Sequence, residues 1–121
     1  MNKIIAILVA SGQFHVAVET SSGYEEASFP NTEEGVEAFS AFAAPILKRE
    51  TSPYRFCLTS AESDGYGEID HQLMLNGYGP SSLTTASFKE YLAKNPGAPL
   101  SGLTAAKACL NAFPFLRTLR F

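Results

Sequence analysis

Hydrophobic positions recur along this chain in different rhythms, and the changes of rhythm mark its elements. Residues 3–10 (KIIAILVA) form a nearly continuous apolar run rich in Ile, as a strand covered on both faces requires. Ser11-Gly12 is a turn signal. Phe14, Val16 and Val18 then alternate with His15, Ala17 and Glu19, the period-two pattern of a strand with one buried face. After a second turn at Ser21-Ser22-Gly23, the phrase YEEASF reads as a third, more polar strand.

The rhythm then lengthens. Val36, Phe39, Phe42 or Ala43, and Ile46 recur at helical spacing behind FPNTEEG, where Asn31 is the expected cap and Glu34 its capping-box partner. Pro45 is a point at which this helix would kink or end; if it continues, it stops near KRETSP. YRFCLTS (54–60) predicts a fourth strand. The polar loop AESDGYGE leads into a helix from Tyr66 to Leu75 with Ile69, Leu73 and Met74 inward, closed by Asn76-Gly77. PSSLTT suggests a fifth strand, SFKEYLAK a short helix, and LTAAKACLNAF a last helix stopped before Pro114. The order βββαβαβαα predicts an α/β domain with a five-stranded mixed sheet, its first three strands antiparallel, and helices on its faces. The domain is expected over residues 1–112, with 113–121 an apolar C-terminal tail.

Composition narrows the classes. With 121 residues, 45% of them hydrophobic and 17% charged, the chain suits one folded domain rather than a disordered segment. A net charge of −3 offers no general attraction to phosphate, so any DNA contact needs a local basic patch. Cys57 and Cys109 lie in apolar phrases without a CxxC spacing, and are expected to be buried free thiols rather than a disulfide or a zinc site. The opening run leads straight into more strand, which favours a buried strand over a signal peptide. No run is long enough to cross a membrane, and cytoplasmic residence is the expectation.

Candidate chemistry is sparse. His15 stands on an otherwise apolar strand with no partner at ligand spacing, so a packed, hydrogen-bonded histidine is favoured over a metal ligand. Glu62, Asp64, Glu68 and Asp70 form the densest acidic group, yet ESDGYGEID departs from the order of a calcium loop. No G-x-S-x-G context surrounds Thr59, Ser60 or Ser63, and no glycine-rich phosphate loop is present. The tail FPFLRTLRF concentrates Phe115, Leu116, Leu119 and Phe121 around Arg117 and Arg120. It either folds back on the sheet or seeks a partner, and a homo-oligomer held partly by this tail is expected.

Several phrases resemble, in order and on matching elements, the N-terminal domain of the DEDD transposases of bacterial insertion sequences, relatives of the pilin-gene invertases. AILVASGQFHVAV stands where that family has GIDVSKDTFDVAV, and FPNTEEG stands for FPNTPAG. AESDGYGE stands for EATGGYE, NGYGPSSL for the AGYPV turn, and SGLTAAKA for KTDRIDA. The resemblance implies an RNase H-like fold of the RuvC type, in which four acids converge on two Mg²⁺ ions to cut DNA. Here the matching positions hold Leu8, His15, Ala105 and Ala108, with the glutamate position on Ala61 or on Glu62. The resemblance therefore implies a catalytically inactive, transposase-derived domain without a cofactor that works by binding itself, a protein or, weakly, DNA. The alternative is a Mg²⁺-dependent nuclease or transposase fragment using Glu62 and Asp64.

Overall fold

The computed structural model describes residues 2–62, 66–77 and 79–116. Its elements follow the expected order: β1 (Lys3–Ala10), β2 (Gln13–Thr20), β3 (Gly23–Pro30), α1 (Glu33–Arg49), β4 (Tyr54–Ser60), α2 (Glu68–Leu75), β5 (Ser81–Leu83), α3 (Thr85–Lys94) and α4 (Gly102–Ala112). One mixed sheet has the strand order β3-β2-β1-β4-β5. The first three strands are antiparallel, while β4 runs parallel to β1 and β5 parallel to β4. Ser11 and Gly12 both take positive φ, the two-residue turn whose twist suits a hairpin.

Because side chains alternate across a strand, β1 divides its apolar run between two cores. Ile5, Ile7 and Val9 pack with Phe14, Val16, Val18 and Leu58 beneath Phe39, Ala43 and Ile46 of α1 and Ile69 and Leu73 of α2. Ile4, Ala6 and Leu8 face the other way, with Cys57 and Leu83, beneath Phe88 of α3 and Ala105, Ala106, Ala108 and Cys109 of α4. The small residues of α4 let it lie close to the sheet. At Gly102 a Cβ would come within 2.4 Å of the Val16 carbonyl carbon, so that position admits no side chain.

Four expectations need correction. Cys57 and Cys109 are not free thiols: they form a disulfide joining β4 to α4 across 52 residues of chain. Thr32, not Asn31, caps α1, its side chain accepting from the Gly35 amide at 3.1 Å. The capping-box position three residues on is then Gly35, so Glu34 has no such role. Met74 is 65% exposed rather than inward, since the two-turn α2 has one buried stripe, Ile69 and Leu73, and Met74 lies outside it. Pro45 sits inside α1, which continues to Arg49 and stops at KRETSP, the second of the two outcomes expected there.

Far from the Ser11-Gly12 turn, charges clasp the ends of several elements. Glu50 accepts from the Ser21 amide and hydroxyl (2.9 and 2.8 Å) and lies 3.7 Å from Lys3 Nζ. Arg49 reaches Glu25 at 2.6 Å. The Ser21 bonds hold the Glu50 carboxyl below the usual carboxylate range.

Two outcomes follow. Replacing both cysteines by alanine frees the unfolded chain from a long closed loop and is expected to cost about 2–4 kcal/mol, lowering Tm on the order of 10 °C. An unchanged melting curve would reject the cross-link as a stabilising element. A depressed carboxylate pKa contributes stability above its unfolded value and loses it as pH falls through the folded value. Glu50→Gln is therefore expected to flatten the fall of Tm below about pH 4.5, measured against the parent chain. Identical acid limbs would show that the clasp contributes nothing.

Candidate functional site

Register brings the matched positions together on one face of the sheet. Leu8 lies opposite His15 on β2 and beside Thr59 on β4. Ala105 and Ala108 belong to the same cluster from α4, and all three aliphatic side chains are within 1% of full burial. The Cys57–Cys109 disulfide is part of this packing. This face gathers hydrocarbon and a disulfide, with no carboxylate among the cluster's buried side chains. A carboxylate at Leu8 would lose its water without gaining a partner, at a cost of several kcal/mol.

His15 is at the margin of this face. Its Nδ1 lies 2.6 Å from Ser28 Oγ, its cross-strand neighbour on β3. Glu26 lines the same shallow hollow, together with Ser101 and Gly102, but its carboxylate accepts from the Leu103 amide at 3.3 Å. His15 is thus hydrogen-bonded and only partly buried. The sequence held no signal for its partner, because Ser28 is set by strand register alone.

The C-terminal ends of β1 and β4 carry a second cluster. Glu62 accepts from the Ser11 amide and so ties the loop after β4 to the β1–β2 turn. Gly12 O accepts from the Asn31 amide at 2.9 Å. The Asn31 side chain donates from Nδ2 to Tyr66 O (2.8 Å) and accepts at Oδ1 from the Ile69 amide (3.0 Å). Asn31 thus caps α2 from a distance, in place of Gly67, which has no side chain to do it. Gly67 has φ +73°, and a Cβ there would stand 2.7 Å from Asn31 Nδ2, so glycine is required twice over. Tyr66 completes the cluster by donating from its hydroxyl to Leu83 O at 3.3 Å.

The remaining expected residues fall as follows. Glu62 is placed in the loop cluster, and Asp64 lies outside the described residues. Of the tail, Leu116 is buried in the α4-side core and Phe115 is 72% exposed. Arg117, Leu119, Arg120 and Phe121 lie outside the described residues. Among the described residues, no group of three or more His, Cys, Asp or Glu side chains could hold a metal ion, and no helix is long and apolar enough to cross a membrane. A cleft of about 230 Å³ between α1 and α2, lined by Val36, Phe39, Ala43, Leu47 and Leu73, was not legible from periodicity.

Asn31→Ala removes one acceptor and one donor from a partly buried bridge and is expected to destabilise the fold by about 1–3 kcal/mol in denaturant titration. Asn31→Asp keeps the acceptor for Ile69 and favours the positive end of α2, so it is expected to cost less. Equal losses for the two variants would deny Asn31 its capping role.

No protein-family model matches the chain, and no curated protein matches it.

Proposed function

We propose that this chain is a catalytically inactive, transposase-derived domain of RNase H-like type that works by binding. The observation that carries the reading is the filling of one sheet face by Leu8, Ala105, Ala108 and the Cys57–Cys109 disulfide, at the positions matching the family's acids. The five-stranded mixed sheet with three antiparallel leading strands agrees with the fold that the resemblance implies.

Charge disfavours DNA as the partner and leaves a protein, a second copy included, as the class that is bound. Glu33 and Glu34 open α1, and Glu68 and Asp70 open α2. Glu62 stands with them at the C-terminal edge of β1 and β4, while Lys48 and Arg49 lie in the last turn of α1. A phosphate backbone approaching that edge would meet carboxylates and be repelled. The expected cytoplasmic residence has the buried disulfide against it, because such bonds persist in oxidising compartments and are rare in the cytosol.

The competing reading is a Mg²⁺-dependent nuclease acting through Glu62 and Asp64. The bond from the Ser11 amide gives the Glu62 carboxylate a structural task instead. Incubation with single-stranded, duplex and branched DNA in Mg²⁺ or Mn²⁺ is expected to leave the DNA intact. Robust cutting that disappears in Glu62→Ala would replace the binding reading with the nuclease one.

A further inference from the structure

The geometry points to a second copy of this chain as a binding partner, joined edge to edge through β3 into one continuous sheet. This deepens the binding reading above and rests on it. Among the described residues, β3 has β2 on one side and no strand on the other. The opposite edge is protected by brevity, since β5 has only three residues. β3 has eight residues and pairs with β2 without a bulge from Gln13↔Pro30 to Thr20↔Gly23. Its only proline is the last residue and its pairing has no bulge, so two usual guards of an exposed edge are missing. Its two carboxylates stand over the two faces of the sheet and leave the backbone edge between them clear. Glu25 is drawn to Arg49 (2.6 Å) and Glu26 to the Leu103 amide (3.3 Å), one toward each face of the sheet.

Parity identifies the backbone groups that face outward. The Ser11-Gly12 turn closes on Ala10↔Gln13, so Gln13, His15 and Ala17 exchange hydrogen bonds with β1. The alternate residues Phe14, Val16 and Val18 then bond to Phe29, Ala27 and Glu25 of β3. Glu26 and Ser28 are left to present amide and carbonyl to the open side.

Twofold pairing of two antiparallel copies must match like faces, which restricts the register. An axis at Glu26 would set two carboxylates against each other. An axis at Ala27 sets Glu26 opposite Ser28 of the other copy and Glu25 opposite Phe29, with a small methyl pair at the centre. No like charges are then directly opposed, and Glu26 and Ser28 exchange about four backbone hydrogen bonds across the dimer.

Sedimentation of the full chain over a wide concentration range, with amide exchange followed in parallel, tests this. A dimer is expected, with exchange at Glu26 and Ser28 slowing as concentration rises. Ser28→Lys places a cation opposite Glu26 twice in the dimer and is expected to tighten it roughly three- to thirty-fold; Ser28→Glu is expected to loosen it by a similar factor. A monomer at all concentrations overturns the proposal. So does a dimer that responds alike to both variants, or one that protects residues 113–116 in place of β3. If either variant fails to fold, exchange at Glu26 in the parent chain still decides. A monomer that cuts no DNA refutes the edge pairing and leaves the binding reading standing, whereas Mg²⁺-dependent cutting refutes the binding reading itself.

Discussion

Everything in this domain depends on β1 being buried from both sides. From Ile4 to Ala10 no side chain is more than 8% exposed, and the strand is hydrogen-bonded to β2 on one side and β4 on the other. A strand so enclosed tolerates no side chain that needs water. Two consequences follow at once. Both helical layers have an apolar floor to pack on, and the centre of the α4-side face is closed to charge. The first hairpin thus supplies the apolar floor of both layers, and the clasps made by Glu50 and Glu62 lie at the ends of the strands.

Those ends were the part least legible in the sequence. Periodicity identified each strand and helix, because continuous burial in β1, alternation in β2 and the i, i+3, i+4 stripe of α1 are direct imprints of packing. It did not reveal the disulfide, since Cys57 and Cys109 meet only after α4 has docked, and neither neighbourhood hints at the other. It misassigned Asn31 for a related reason. The residue sits where an N-cap belongs, but Thr32 takes that task locally and Asn31 serves a helix more than thirty residues away. The inward assignment of Met74 failed because two helical turns are too few to define a stripe.

The candidate site divides along the same line. The apolar character of Leu8, Ala105 and Ala108 could be read from the chain, but their meeting on one face beside His15 needed the register of β1 with β2 and the docking of α4. The close seat of α4 comes from Gly102 and the alanines behind it, so the residues that close this face to charge also bring the helix down onto the sheet.

The strand order also bears on how the molecule is made. β1 leaves the ribosome ahead of the other described elements and finds β2 within a hairpin, but its other neighbour begins at Tyr54, opposite Lys3. The meander β1-β2-β3 can thus form while the inner edge of β1, the most apolar of the described strands, still has nothing beside it. Unpaired apolar edges are where nascent chains aggregate. During synthesis, the interval between the arrival of β1 and that of β4 is accordingly the period of greatest exposure. The helix that closes the face above Leu8 comes later still, and the disulfide can form only once it has arrived.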